Sequence, residues 1–527
     1  MLIYRFWLAL VALACCSTVP SWARTAEQDE VTSLPGWEGN LPSKSYAGYL
    51  AGDNDGKIGI FYSMFESLRS ADDDPVLFWY NGGPACSSFG GLFMIHGPFR
   101  IDKDGQKLMQ NPWTWVEVAN MVSIDAPPDT GFSYEVDGRT AWNDQEVAEM
   151  NAHAIDSFFK KFPKLADRDF FIAGESYAGI YIPMMTKLIV ERIKNGTFSN
   201  PNLQGIALGN AYLDMNITYN TQVQYMYYHG LISYDMYHDV RRECCPKSYC
   251  SETCNYAEHI VPSAAANAEG DGTKCGELVD FIDNTVTFDW VTSGYNVEQA
   301  CYDMTRLSRM ARMTLPSLIS KLDIDESSHT DNSDGYPCYN EKLIEQYFSQ
   351  PEAQEAMHVD QHWKDTHSQF KDCSDPGFDN YNETVFSVFP EMKWLLTEAD
   401  PPLRFLIYNG DVDSICNFLS ASVFTNQLMD RMKYKKTKEF NTWKFANASS
   451  GFYEEWDNRL TLLTVKGAGH MVPLDRPGPA LQVIHNFMEN RDFNTTLTRP
   501  LKRYEKKYHD RKPKPVHEQH HWWKMAE

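Results

Sequence analysis

An α/β fold, with a mostly parallel central sheet and an inserted disulfide-rich cap, is what this 527-residue sequence predicts. Three observations carry that expectation. Short apolar runs alternate with stretches of helical apolar spacing, the pattern of a parallel sheet. The alternation breaks off between about 212 and 335, where cysteines cluster, and then resumes. Hydrophobic residues make up 43% and aromatics 13%, enough for a large core and too much for a mainly disordered chain.

Taken in order, Ile58-Gly59-Ile60-Phe61-Tyr62 and Val76-Leu77-Phe78-Trp79-Tyr80 read as strands. The second runs into the breaker Asn81-Gly82-Gly83-Pro84. Val147 to Phe162 is helical in spacing, Phe170 to Ala173 is a short strand, Ile180 to Ile193 is helical again, and Leu203 to Leu208 is strand-like. The insertion contains the small, polar stretch Ser263 to Gly272 and a helical pattern from Leu307 to Leu322. Strands resume at Arg404–Tyr408 and Leu460–Val465. The expected organisation is a leader over 1–23, core over 24–211, cap over 212–335, core over 336–497 and a tail over 498–527. The tail is basic, poor in aliphatics and expected to be disordered.

The leader is read from Arg5, the apolar stretch Phe6 to Cys16 and the small residues around Ser21-Trp22-Ala23, which together describe a secretory signal. Export favours disulfides. Of twelve cysteines, ten remain once Cys15 and Cys16 leave with the leader, and five of them lie between Cys244 and Cys275. Their spacing lacks the paired CxxC and nearby histidine of a zinc site. Sequons at Asn195, Asn216, Asn382, Asn447 and Asn494 fit an exported glycoprotein. The net charge of −23 argues against nucleic acid as a partner, and no apolar run of membrane-spanning length occurs.

The strongest chemical signal is Gly174-Glu175-Ser176-Tyr177-Ala178-Gly179, between a strand and a helix. A serine there sits on a sharp turn that lifts its hydroxyl above the sheet, with small neighbours because the turn is tight. Ala178 stands where the motif has its second glycine. A serine hydroxyl needs a base, and the base an orienting acid. In the chain order serine, acid, histidine, the candidates are Asp413 and His470, each just past a strand, where open α/β sheets place their sites. Asp411 is the rival acid. Oxyanion donors are expected from the Tyr177 N–H and from Asn81-Gly82-Gly83-Pro84, whose glycines allow close approach.

From about Leu34 to Phe493 these residues resemble the serine carboxypeptidases, the family that includes carboxypeptidase Y and lysosomal cathepsin A. The resemblance rests on Leu34-Pro35-Gly36, Asn81-Gly82-Gly83-Pro84, Gly131-Phe132-Ser133-Tyr134, the Ser176 motif, Gly410-Asp411-Val412-Asp413 and Gly469-His470-Met471-Val472-Pro473. It implies an α/β-hydrolase fold with a cap, and Asp413 as the acid. It implies Gly83 and Tyr177 as oxyanion donors. Trp79, Asn81, Gly82 and Glu175 would hold the substrate's C-terminal carboxylate, and Met471 would line the leaving-residue pocket. It further implies disulfides Cys86–Cys373 and Cys301–Cys338, a free thiol at Cys416, and cap pairs Cys245–Cys250 and Cys244–Cys275 that leave Cys254 over. Two positions depart from the family: Ala85 replaces a glycine, and Ile95 replaces a glutamate that pairs with the equivalent of Glu175. Without that partner Glu175 is expected to ionise readily and repel a substrate carboxylate.

The implied activity is release of C-terminal amino acids from peptides through a Ser176 acyl-enzyme, without metal or cofactor. Peptides are the expected partners, a homodimer is compatible with the resemblance, and the lysosome or the extracellular space is the expected address. The competing readings are an acyltransferase on the same scaffold and a non-catalytic protective or binding protein.

Overall fold

The computed structural model describes residues 21–102, 105–245, 254–262, 268–284, 295–298, 341–373 and 380–497. Its centre is a 12-stranded sheet. Six strands run parallel, in the spatial order Asn120–Ile124, Val76–Tyr80, Phe170–Ser176, Leu203–Ala211, Arg404–Gly410 and Leu460–Val465. Antiparallel strands flank them. Ile58–Phe65, Ser45–Ala51 and Glu30–Val31 lie on one side, with Tyr134–Glu135 paired to Ile58–Phe65. Ala448–Trp456 and Lys436–Phe445 lie on the other. The expected α/β-hydrolase architecture is therefore present, and every strand read from the sequence forms, some of them extended by a few residues.

Burial explains why the parallel strands were legible. Val76–Tyr80 and Asn120–Ile124 are buried at every position, because helices cover both faces of a parallel sheet. Helix Asp144–Lys161 starts on a reciprocal cap: Asn143 accepts from the Glu146 N–H, and Glu146 reaches back to the Asn143 N–H. Its Val147, Ile155, Phe158 and Phe159 join a core with Phe78, Phe170 and Ile172. No helix among the described residues is long and apolar enough to cross a membrane.

A second apolar cluster lies in the inserted region. Tyr219, Val223 and Met226 of helix Met215–Tyr228 pack with Tyr237, Val240, Cys245, Cys254, Tyr256 and Val279. Cys244–Cys275 forms as expected, but Cys245 pairs with Cys254, not with Cys250. The reason is burial: Cys245 closes helix Tyr234–Cys244, and Cys254 opens the segment that packs back on it, so both sulfurs enter the same apolar cluster. Cys250, the Cys301–Cys338 pair and the helical pattern from Leu307 to Leu322 fall outside the described residues. Cys244→Ser/Cys275→Ser should remove about 2–5 kcal/mol of constraint. Hydrogen exchange should then show residues 215–245 and 268–284 losing protection before the parallel strands. Simultaneous loss across the sheet would mean that the cluster has no independent cohesion.

Candidate active site

Ser176 ends the strand Phe170–Ser176, and helix Ala178–Lys194 begins two residues later. Its φ is +61°, a left-handed conformation that costs a non-glycine residue about 1–3 kcal/mol. The turn is tight where glycine stands. A Cβ on Gly174 would lie 2.4 Å from the Tyr80 carbonyl oxygen, and one on Gly179 would lie 2.5 Å from that of Tyr212. Gly174 and Gly179 thus supply the small size, and Ala178 is accommodated between them. No side chain caps the helix at Tyr177, so its first N–H groups keep their donor capacity.

The loop after Val76–Tyr80 lies against this turn. A Cβ on Gly82 would come within 2.4 Å of the Tyr177 nitrogen and 2.7 Å of the Ser176 Cβ, and Gly83 has a φ of +111°. Only glycine allows that approach. Ala85, the departure from the family, takes φ +59°, and its N–H donates to the Tyr181 hydroxyl at 3.2 Å. Asp125 clamps the far side of the loop, accepting from the Ser87 hydroxyl at 2.9 Å and the Ser88 N–H at 2.8 Å. Burial pushes the Asp125 carboxyl up to about 7 against those hydrogen bonds. The expected Cys86–Cys373 disulfide ties the same loop to the later core.

Of the two rival acids, Asp413 is the one that touches the histidine. His470 Nδ1 and Asp413 Oδ2 are 2.8 Å apart. Asp413 is fully buried and also accepts from the Ile415 N–H, the Cys416 N–H and the Asn210 side-chain amide, the last at 2.7 Å. Asp411 instead accepts from the Gly467 N–H at 2.7 Å. Burial draws the His470 pKa down, but the Asp413 charge and hydrogen bond outweigh it, so the imidazole lies above its ordinary 6.5. Cys416 is buried and free, as the resemblance implies.

Trp79 Nε1 donates to Asn81 Oδ1 at 2.6 Å, which leaves the Asn81 NH₂ as the end open to a ligand. Glu175 is buried beside Ser176. Burial raises its carboxyl to about 7; His470 opposes the rise, and Asp413 and Asp475 reinforce it. That direction runs against the expectation that Glu175 would ionise readily for want of a partner at Ile95: desolvation, helped by the Asp413 and Asp475 charges, favours the protonated carboxyl. His96, next to Ile95, is fully buried, stacked on Trp115 at 4.4 Å and edge-on to Trp79 at 4.1 Å. Met471 caps the short helix Val472–Asp475 directly after His470.

Sequence reasoning missed Asn210, although its place at the end of a parallel strand is the position that marked the other site residues. It also missed a clamp from the insertion. Tyr295 O accepts the His470 N–H at 2.6 Å, the Val297 N–H donates to Val412, and the Asn296 amide donates to Asp475 at 2.9 Å.

Comparisons with known proteins identify the family. The family model described as serine carboxypeptidase matches residues 35–490. This chain belongs to the serine carboxypeptidase family. Serine carboxypeptidase ctsa-3.1 of Caenorhabditis elegans is 32% identical over 508 residues, 88% of this chain and 88% of that protein. The lysosomal protective protein of Mus musculus is 30% identical, covering 90% of this chain and 97% of its own. Among solved structures, the Saccharomyces cerevisiae prohormone-processing carboxypeptidase Kex1Δp superposes with a TM-score of 0.65 at 22% identity, over 89% of this chain and 97% of that one. As a serine carboxypeptidase the protein acts on peptides, and the acyltransferase and non-catalytic readings are not favoured.

Proposed function

We propose that this serine carboxypeptidase works through an acyl-enzyme on Ser176, with His470 as base and Asp413 as its orienting acid. The observation that carries the reading is the 2.8 Å His470–Asp413 hydrogen bond behind a serine held at φ +61°. His470 takes the Ser176 proton as the oxygen adds to the scissile carbonyl carbon. The N–H groups of Gly83 and Tyr177 receive the oxyanion. His470 then gives its proton to the leaving nitrogen, the C–N bond breaks and the C-terminal amino acid departs. Water, deprotonated by His470, releases the remaining peptide. A fluorophosphonate should label Ser176, and mass analysis of a digested peptide mixture should show single residues lost from C-termini. Internal cleavage, or no label on Ser176, would sink the proposal.

The substrate carboxylate would be held by Asn81, Gly82 and a protonated Glu175, with Trp79 fixing the Asn81 amide and Met471 beside the leaving residue. The pH dependence follows. His470 must be neutral, so activity should rise as pH climbs through its elevated pKa. Glu175 must be protonated, so preference for a free C-terminus should fall as pH passes about 7. For a blocked dipeptide acid against its C-terminal amide, the ratio of kcat/KM values should drop on the alkaline side. Glu175→Gln, a neutral donor at any pH, should flatten that drop. A ratio independent of pH in the unmutated enzyme would remove Glu175 from carboxylate recognition.

We also propose a route through the secretory pathway to the lysosome or the cell exterior. All five sequon asparagines lie at exposed positions, which supports glycosylation. Ser21 hydrogen-bonds the Tyr134 hydroxyl at 2.7 Å, a contact that a cut after Ala23 removes, so N-terminal sequencing of the secreted protein tests the expected leader boundary.

A further inference from the structure

Asp144 is the first residue of helix Asp144–Lys161 and is fully buried. A carboxylate at a helix start is favoured by the exposed N–H groups there, yet this one spends its lone pairs elsewhere. Its Oδ2 is anchored to a distant segment, accepting from the Thr384 N–H at 2.6 Å, the Thr384 hydroxyl at 3.1 Å and the Val385 N–H at 2.8 Å. Its Oδ1 accepts from two phenols, Tyr177 at 2.9 Å and Tyr381 at 3.0 Å. The Tyr381 ring packs against that of Tyr181, centroids 6.3 Å apart, and the Tyr181 hydroxyl accepts the Ala85 N–H at 3.2 Å. Tyr177, Tyr181 and Tyr381 are all about as buried as Asp144. Desolvation and the Asp144 charge hold the Tyr177 and Tyr381 phenols protonated far above neutrality, so both remain donors.

Two connections therefore meet on one oxygen, the first a direct hydrogen bond and the second two hydrogen bonds joined by the Tyr381–Tyr181 ring contact. One leads to the residue whose N–H follows the nucleophile. The other leads, through Tyr181 and Tyr381, to the loop that carries Gly83. These are the two halves of the oxyanion hole in the reading above, and the inference rests on that reading. We propose that Asp144 is a positioning residue for acyl transfer, which sets the spacing between the Tyr177 N–H and the Gly83–Ala85 loop through Tyr177, Tyr381 and Tyr181. It also ties that spacing to the segment at Thr384–Val385. Donor placement matters because hydrogen bonds to the oxyanion act over about 2.7–3.1 Å, and loss of one donor outright costs about 10²–10³ in kcat. Removing a tether displaces a donor without deleting it, so its effect is bounded by that figure.

The test uses full-length Tyr177→Phe, Tyr381→Phe and Asp144→Asn enzymes, with fluorophosphonate titration of Ser176 to count folded sites. Each is assayed on a matched ester and thionoester. Sulfur accepts hydrogen bonds poorly, so the ester/thionoester ratio of kcat reads the oxyanion hole and is blind to the fraction folded. Per titrated site, Tyr177→Phe should lose about 10- to 100-fold in kcat, a misplacement-sized effect, with KM unchanged and the ester/thionoester ratio falling in step. Tyr381→Phe should move the ratio in the same direction. If Asp144→Asn yields no titratable sites, the two phenylalanine variants still decide. Fewer titratable sites with an unaltered ratio would make the hub structural only and overturn the proposal. So would unchanged kcat in both phenylalanine variants. Failure of the unmutated enzyme to label at Ser176 would overturn the acyl-enzyme reading and the hub together, whereas labelling with a constant ratio removes the hub alone.

Discussion

Ser176→Ala is expected to reduce peptide hydrolysis by about 10⁶ in kcat, the cost of losing the nucleophile in a serine-protease triad, and to abolish fluorophosphonate labelling. The fold should survive. Alanine lacks only the hydroxyl and suffers the same left-handed strain that serine does. Glycine does not. Ser176→Gly should be as inactive as Ser176→Ala but more stable, by up to about 2.5 kcal/mol, because strain of about 1–3 kcal/mol is relieved against glycine's entropic cost of roughly 0.5–1 kcal/mol. Thermal unfolding of the two variants checks the sign. Equal stability would mean that the elbow stores no strain. Residual hydrolysis above a trace in either would remove Ser176 from the mechanism. The comparison separates two things that one residue does here: it holds a costly backbone turn, and it presents the attacking oxygen.

The parts of the molecule that could be read from sequence are those where one local pattern has one physical cause. Val76–Tyr80 and Leu460–Val465 were legible to the residue because strands buried on both faces become apolar runs bounded by breakers. The hairpin Lys436–Phe445 and Ala448–Trp456 was not anticipated. It forms the sheet edge, where Lys436, Lys438 and Glu439 interrupt any apolar run, and edge strands carry charge in place of such runs. The site divides in the same way. Ser176, Asp413 and His470 stand at strand ends inside recognisable motifs. Asn210 and Asp144 act through bonds to residues about 200 and 240 positions away, and no local pattern marks such a partner. The protonation of Glu175 depends on how deeply the fold buries it. The missing family partner at Ile95 suggested a readily ionised group, and desolvation pushes the carboxyl the other way. The Cys245–Cys254 pairing was hidden for a similar reason: which cysteine returns to the apolar cluster is decided by packing.

Asp413→Asn should lower kcat by about 10⁴, the effect of giving a catalytic histidine the wrong orienting partner. The structure shows why so small a change is so damaging. Three donors converge on Asp413 Oδ2: His470 Nδ1, the Asn210 amide at 2.7 Å and the Cys416 N–H at 3.2 Å. A fourth, the Ile415 N–H, meets Oδ1 at 2.8 Å. An asparagine has one oxygen for this set, and its NH₂ faces a donor in either orientation. If the oxygen keeps His470 and Asn210, the NH₂ opposes the Ile415 N–H and distorts the loop. If it turns to Ile415, the NH₂ confronts His470, which must then present an unprotonated Nδ1 and so carry its proton on Nε2, where the base lone pair is needed. The change also has a pH signature. Asp413 is the main group that raises the His470 pKa against burial, with smaller help from Glu175 and Asp475, so removing its charge lets the pKa fall. The neutral imidazole then persists to lower pH, and the rising limb of ester kcat/KM should shift toward acid while its plateau collapses. Asp411→Asn should do neither, because Asp411 meets the Gly467 N–H and not the imidazole. Steady-state kinetics of both variants between about pH 4 and 8, a range that spans the ordinary histidine pKa, reads both effects. A severe loss from Asp411→Asn with a mild one from Asp413→Asn would mean that the carboxylate touching His470 is not the one that serves it in turnover.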